Sequence, residues 1–381
     1  MPTPDSPISR SLSRSVKHNA VLSYARSARV FSRAQLAEHT GLSASTITHL
    51  IRELLDQGYL AEVGAGESRG GRPQSMLEFQ PAAELVIVID LHPGRLEASL
   101  LDWNGDAVAE AIIRPIVDLV DDMVAVVAEF SANHGEAVKA VAVAVPGVAS
   151  GARGEVRLAP SIGLVDDQPL GELLQSRIEL PVVVDNDVNL IVVGEHVAGA
   201  AQDVDDILLV HVGDGGIGAA LMIDGRVRQG ASGVAGEIGF LPLGQPEPPA
   251  NGIGAFESRW SASAISEAAA QLIPALNGGS IIRQLEERAA EDAAARELLD
   301  SVIAAWSKAV VAVVCVLDPG RVLLSGEAAQ LSERSLEWIS ADVARYAPGS
   351  TDIRVAAIGP RALLHGAVRR AFDAHDNTRA P

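Results

Sequence analysis

Three short segments decide the reading of this chain: Asp185-Asn186-Asp187-Val188-Asn189, Gly213-Asp214-Gly215-Gly216-Ile217-Gly218 and Gly233-Val234-Ala235-Gly236-Glu237-Ile238-Gly239-Phe240. The run 181–184 before the first is apolar and β-branched, which marks a buried strand. It ends in three consecutive polar residues, so two carboxylates and an amide stand at the strand's carboxyl end. Ligand crevices of open α/β sheets lie at that end. Residues 207–212 form a second apolar run and pass directly into glycines, which let a backbone approach a ligand closely. The third segment offers one carboxylate, Glu237, from a glycine-rich turn. Together they describe a polar site between buried strands.

Length and charge set the frame. A chain of 381 residues predicts two or three domains, and 48% hydrophobic residues supply a sizeable core. The formal net charge is −19, which argues against general adhesion to nucleic acid. The charge is unevenly spread. Residues 1–80 hold nine Arg and Lys against seven Asp and Glu, a net of +2, which leaves −21 on the remainder. A mildly basic head on an acidic body fits a small DNA-binding module attached to a larger domain. The single cysteine, Cys315, excludes an internal disulfide, and its apolar run 310–317 predicts a buried thiol. The N-terminus lacks the apolar centre of a signal peptide, and no uncharged apolar run reaches the ~18 residues of a membrane span. A cytoplasmic protein without membrane association is the expectation.

The head reads as a helix-turn-helix. Residues 1–14, rich in Ser, Pro and Arg, predict a disordered arm. A helix over 16–28 follows. Ser32 with Gln35 forms a capping box, and Thr40-Gly41 supplies a left-handed stop. Ser43 then caps a helix in which Ile47, Leu50, Ile51, Leu54 and Leu55 make one apolar stripe. Its other side carries Ser45, Thr46, Thr48, His49 and Arg52. These, with Ser43, are the short polar and basic side chains that a recognition helix needs to reach phosphates and base edges. Strands over 58–63 and 76–79 flank Ser68-Arg69-Gly70-Gly71-Arg72-Pro73. This is read as a wing whose Arg69 and Arg72 enter a minor groove. The DNA-binding domain therefore spans 15–80, and 81–84 reads as a linker.

The body, 85–381, alternates strand and helix patterns. Strands are predicted at 85–90, 96–101, 107–113, 138–145 and 321–324, with a turn at Asn104-Gly105. Helices are predicted over 117–134, within 263–292, over 294–317 and up to Asp373.

These motifs resemble the ROK family, which comprises repressors, open reading frames and sugar kinases and is a branch of the actin-like sugar kinases. The likeness covers about 85–373. The segment 36–79, with its Gly-Arg-Pro, resembles the winged helix-turn-helix of ROK repressors, which the kinases lack. The resemblance implies an actin-like (ribonuclease H-like) α/β fold of two lobes behind a winged helix-turn-helix, with a β-meander opening the first lobe. It also implies sugar contacts from Ser161, Asn186, Asp187, Glu237 and Glu257. Asp187 matches the kinases' general base, and Ser161 replaces their asparagine.

Departures from the kinase pattern bear on activity. Where kinases follow the first-strand aspartate with Gly-Gly-Thr, this chain has Asp90-Leu91-His92-Pro93-Gly94-Arg95. Pro93 removes a backbone donor, and phosphate cradles are built from such donors. Glu327 stands where a second glycine lies near adenosine. Family zinc ligands are replaced by Phe240, Pro248, Ala250 and Ala255, so no zinc and no other cofactor is expected. Packing by Phe240, Phe256 and the prolines takes the place of zinc in this reading.

The reading is a non-enzymatic transcriptional regulator, a repressor of carbohydrate genes. It would bind operator DNA as a homodimer or homotetramer and respond to a sugar or sugar phosphate. Two other readings are a regulator governed by a protein partner with a vestigial sugar site, and an ATP-dependent sugar kinase.

Overall fold

The computed structural model describes residues 14–65, 75–150, 154–164, 167–243, 253–273 and 278–378. The expected N-terminal arm and the 68–73 wing with Arg69 and Arg72 lie outside these residues, apart from Arg14.

The N-terminal module runs α1 (Arg14–Ala28), β1 (Val30–Ser32), α2 (Arg33–Thr40), α3 (Ala44–Asp56), β2 (Leu60–Ala65) and β3 (Ser75–Phe79). The three strands form one antiparallel sheet in the order β1-β3-β2. Arg29, in the left-handed region at φ 58°, ends α1 and turns the chain into β1. The core is small and closed. Leu22, Phe31, Leu36, Ile47, Ile51, Leu54 and Leu77 are all buried in it.

Pro81, Ala82 and Ala83, read as linker, make one 3-10 turn, and Glu84 after them is fully buried. Its Oε2 accepts from Nε and Nη2 of Arg26 at 2.9 and 2.6 Å. Arg26 is itself 5% exposed, and its guanidinium sits 4.3 Å from the centre of the Trp103 ring. A buried, paired arginine ties the module to the body.

The body contains two sheets built to one plan. The first lobe runs β4 (Leu85–His92), β5 (Arg95–Asp102), β6 (Ile112–Pro115), α4 (Leu119–His134), β7 (Val138–Val145), the hairpin β8 (Val148–Ser150) and β9 (Glu155–Leu158), α5 (Leu170–Gln175), β10 (Val182–Asn186) and α6 (Asp187–Ala198). Its sheet order is β10-β7-β4-β5-β6. The second lobe runs β11 (Ile207–Gly213), β12 (Gly216–Ile223), β13 (Arg226–Val227), α7 (Glu257–Trp260), α8 (Ala262–Leu272), α9 (Ile281–Arg288), α10 (Ala293–Leu317), β14 (Arg321–Gly326), α11 (Glu333–Tyr346), β15 (Asp352–Val355) and α12 (Arg361–Thr378). Its order is β13-β12-β11-β14-β15. In both sheets the first strand is central. Antiparallel meander partners lie to one side of it, and parallel crossover strands to the other. Parallel strands need covering on both faces, and this explains the predominantly apolar runs of β4, β7 and β11.

The last helix of each lobe, α6 and α12, crosses the other between the lobes. α12 lies on β4, β7 and β10 of the first lobe, and α6 lies on β12 of the second. Two glycines allow this approach. A methyl on Gly194 would run into the Ala362 carbonyl oxygen, and one on Gly366 into that of Leu190. Glu195 on α6, fully buried, accepts backbone N–H bonds from Ala200 (2.8 Å), Ala357 and Ile358 (both 3.0 Å), which fixes the entry to α12.

Two sequence expectations change. Cys315 is exposed, because α10 buries Leu299, Val302, Ile303, Trp306, Val310 and Val314 and turns Cys315 and Val316 outward. An all-apolar run carries no periodicity to show which side faces in. Of the predicted strand 107–113 only Ile112 and Ile113 lie in β6, since this stretch meets β5 earlier through a single bridge, Ala107 to Leu101. Among the described residues α10 alone has the length and hydropathy of a membrane span, and its inward side is core to the second lobe.

Glycine to alanine inside a helix ordinarily stabilises by about 1 kcal/mol. At the crossing the sign reverses. Gly366→Ala is expected to lower unfolding free energy in urea by about 2 kcal/mol, the usual scale of overpacking. A stabilised variant would contradict the close approach.

Candidate nucleic-acid interface and effector site

The turn between α2 and α3 is built as its sequence requires. The Gln35 N–H donates to Ser32 Oγ at 3.2 Å and the Ser32 N–H to Gln35 Oε1 at 2.9 Å, closing a full capping box. Gly41 then adopts φ 64°, and Ser43 Oγ accepts the Thr46 N–H at 3.3 Å at the start of α3. Ile47, Leu50, Ile51 and Leu54 are buried, while Leu55 is half-buried. Ser43, Ser45, Thr48, His49 and Arg52 are exposed, and Thr46 is half-buried. The hydroxyls are ordered among themselves. Ser43 Oγ lies 3.0 Å from Ser45 Oγ and 2.9 Å from Thr46 Oγ1, and Thr48 donates to the Ala44 carbonyl at 2.8 Å. Arg52 makes no ion pair with the described residues, so its charge is free for an anion. A helix N-terminus fringed with hydroxyls, with an exposed arginine two turns on, is suited to phosphate and base contacts.

The second site lies at the carboxyl ends of β4, β7 and β10. Asp90 and Asp185 flank Ala144 in register on neighbouring strands, and Asn186 pairs with Val145. Asp185 faces inward. It is 1% exposed. Its Oδ1 accepts from the Asn186 N–H (2.9 Å), Asn189 Nδ2 (3.0 Å) and Gln229 Nε2 (3.2 Å), and its Oδ2 from Arg370 (3.0 Å). Asn186 caps α6 by accepting the Asn189 N–H at 3.1 Å and donates to the Gly147 carbonyl at 2.8 Å. Its amide is thereby fixed by the Pro146-Gly147 turn. That turn packs on 158–159, where any side chain on Gly147 would strike Leu158 and Ala159. Ser161, two residues further, is exposed and makes no side-chain bond among the described residues.

Asp187 opens α6, and one of its oxygens accepts the Val188 N–H at 2.8 Å. Burial pushes its carboxyl up to about 7, with Asp90 adding to the effect. Glu237 is also pushed to about 7, by burial and then by Glu257 and Asp187. Asp90 reaches about 7 through burial and Glu97, against the pull of Arg95. His92 Nε2 stands 3.3 Å from Asp90, and burial lowers its affinity for a proton. Glu257 is held at both oxygens, accepting the Ile217 N–H at 3.2 Å and the Gly254 N–H at 2.6 Å. Gly239 is required beside it, since a methyl there would lie 2.7 Å from Glu257 Oε2. The Ala-Gly-Glu turn is laid on β12 by the Ala219 N–H donating to the Gly236 carbonyl at 2.7 Å.

The charges acting on Asp187 and Glu237 are therefore all acidic. Half-protonated carboxyls of this kind both donate and accept hydrogen bonds, which suits a polyhydroxylated neutral ligand. A dianionic phosphate placed among them would meet like charge.

The residues do not fit zinc. Phe240 and Ala255 offer no donor, Pro248 and Ala250 lie outside the described residues, and no group of three or more His, Cys, Asp or Glu converges among the described residues. The two loops meet through main chain instead. The Phe256 N–H donates to the Gly239 carbonyl at 2.9 Å, and Phe256 is fully buried, whereas Phe240 is half-buried. Glu327 is also committed. Its Oε2 accepts from Ser280 Oγ at 2.6 Å and from the Ile282 N–H at 3.1 Å, so its carboxylate sits on the N-terminus of α9.

Sequence reasoning missed Asn189, Gln229 and Arg370 around Asp185. Asn189 was visible three residues beyond the cap. Gln229 and Arg370 are 44 and 185 positions away, without a local signal.

A raised carboxyl pKa makes the native state favour the protonated form, so its stability contribution is full below about pH 4 and is lost as pH rises through 7. Asp187→Asn, which removes that ionisation, should gain on the parent by about 2 kcal/mol between pH 5 and pH 8, discounted for partial exposure. Urea unfolding at both pH values measures it, and an equal difference at the two would contradict the site's electrostatics.

Comparison with known proteins places this geometry. The ROK family profile matches residues 86–370, and a winged helix-turn-helix DNA-binding profile matches 28–61. A putative xylose repressor of Caldicellulosiruptor sp. strain Rt8B.4 is 32% identical over 225 residues, which is 56% of this chain and 55% of that protein. The chain thus spans about half the length of the xylose repressors it matches. The Escherichia coli K12 DNA-binding transcriptional dual regulator NagC is 26% identical over 78% of this chain and 76% of its own. A ROK family transcriptional regulator described as a homolog of the E. coli MLC protein superposes with a TM-score of 0.78 at 22% identity. It covers 96% of this chain and 98% of its own, and shares the fold from end to end. A Streptomyces griseus ROK glucokinase, solved with glucose and AMPPNP, covers 76% of this chain and 99% of its own with a TM-score of 0.59 and 25% identity. This chain belongs to the ROK family, with a winged helix-turn-helix ahead of its ROK domain.

Proposed function

We propose that this protein is a sequence-specific transcriptional regulator, a repressor of carbohydrate genes, whose ROK domain binds an unphosphorylated sugar and performs no phosphoryl transfer. One observation carries the reading: a complete helix-turn-helix is fixed to a body that keeps the carboxylates of the kinase pattern but departs from that pattern after Asp90 and at Glu327. Pro93 removes a donor from the loop after Asp90, and Glu327 stands where the kinases have a second glycine near adenosine. A general base without a phosphate cradle transfers nothing.

In this reading Ser43, Ser45, Thr46, Thr48, His49 and Arg52 meet operator DNA in the major groove, with Arg69 and Arg72 in the minor groove. Asn186, Asp187, Glu237 and Glu257 hold the sugar hydroxyls, and Ser161 lines the crevice mouth. Two copies, as a homodimer or within a tetramer, place paired modules on a palindromic site. The protein acts in the cytoplasm, where that DNA is. The names of its relatives, among them xylose repressor and N-acetylglucosamine repressor, support a carbohydrate signal. Ser161, exposed and without a side-chain bond among the described residues, favours a second reading, in which a protein partner replaces the sugar.

Two measurements test the proposal. Fluorescence anisotropy on DNA from the protein's own upstream region, at fixed salt, should show specific binding that Arg52→Ala weakens about 10- to 100-fold, the scale of one good base or phosphate contact. Absence of specific binding would refute the regulator. In thermal denaturation, one of D-xylose, D-glucose or N-acetyl-D-glucosamine should raise the melting temperature, and its phosphate ester should not. Stabilisation by the ester instead would refute the charge argument, and indifference to every sugar would favour the protein partner.

A further inference from the structure

We infer that α12 mechanically couples the carboxylate crevice to the DNA-binding module, with Arg370 as its contact in the crevice and Asp376 as its contact on the module. The inference rests on the crevice being the effector site.

At the first end Arg370 donates from Nε at 3.2 Å and from Nη2 at 3.0 Å to Asp185 Oδ2. Asp185 is followed directly by Asn186 and Asp187. Its carboxylate also receives Asn189 from α6 and Gln229 from the second lobe. One buried anion thus gathers donors from both lobes and from both crossing helices. A closure of the lobes that draws Gln229 and the Glu237 turn inward changes the geometry of those donors together, and Arg370 belongs to a helix that moves as a unit.

The second end lies six residues on, about 9 Å along a helix. Asp376 Oδ2 accepts from Nη1 of Arg26, on α1 of the module, at 2.6 Å. Phe372, between the two ends, is fully buried and meets Trp103 at a tilt with ring centroids 4.7 Å apart, and the Arg26 guanidinium lies against both rings. Phe79 at the end of β3 meets the same Trp103 edge-on at 6.3 Å. Within the module Tyr24 of α1 meets Phe31 and His39. A displacement of α12 is therefore passed to α1, and from α1 to the helix that sits against α3.

The competing account makes Asp185–Arg370 and the Arg26 cluster two local stabilisers that do not sense each other. Distance measurement between spin labels on the full chain separates them without sugar or DNA. Labels are placed at Glu38→Cys on α2 and Ala132→Cys on α4, in a Cys315→Ser background. The parent should give one narrow distance distribution. Arg370→Gln should shift or broaden it by roughly 3 Å or more, the scale of the interface shifts through which coupled elements move. Arg177→Ala, which cuts the exposed Arg177–Asp121 pair of the same lobe, should leave it unchanged. If Arg370→Gln does not fold, Arg370→Lys, which keeps the charge and loses the two-nitrogen contact, should give the same shift. A distribution identical to the parent's in a folded Arg370 variant overturns the coupling. A shifted distribution in a protein that no sugar stabilises upholds the coupling and refutes the sugar reading instead.

Discussion

The crossing of α6 and α12 constrains the rest of the molecule, because two backbones meet there with no side chain between them at Gly194 and Gly366. Interiors are packed at crystal-like density, so such a contact has few alternative arrangements. Each helix belongs to one lobe by sequence and covers the other by packing. The crossing therefore sets how the two sheets face, and so where the carboxyl ends of β4, β7 and β10 stand relative to the Glu237 and Glu257 turns. It also sets where α12 ends, which is against the DNA-binding module.

The chemistry of the crevice follows from that placement. Carboxyls drawn from both lobes are brought near one another in partial burial, and each discourages ionisation of the next. Such a group of acids recognises hydroxyls and repels anions. The Streptomyces griseus ROK glucokinase was solved with both glucose and AMPPNP. On the proposed reading, the loop after Asp90 and the Glu327 carboxylate work against a nucleotide, and the crevice is left to bind a neutral ligand. The same fold can then serve as a sensor, because closure around a ligand needs no chemical step to be useful. A ligand shifts the lobes only by the difference in its affinity for open and closed forms.

Much of this was legible in the sequence, and what was not has a physical reason. The capping box at Ser32 and Gln35, the glycine stop at Gly41 and the stripe on α3 are local signals, and the structure builds them as read. The family motifs carried the two-lobed fold and the positions of Asp187, Glu237 and Glu257. The outward face of α10 was not readable, because a run with no polar residues has no phase. The Asp185 hub was half-read. Its carboxylate looks like a ligand group until Gln229 and Arg370 arrive from far along the chain. The joint at Glu84 was hidden for the same reason, since only the fold brings Arg26 and Asp376 to it.

In the proposed mechanism, crevice and DNA interface are linked. The most direct test is the dissociation constant of the full chain for its own upstream DNA, at one salt concentration, with and without the free sugar that stabilises the protein. A change of at least about 5-fold is expected, the lower range of coupling between sites, and it should be lost in Arg370→Lys. An unchanged constant at saturating sugar would contradict the mechanism.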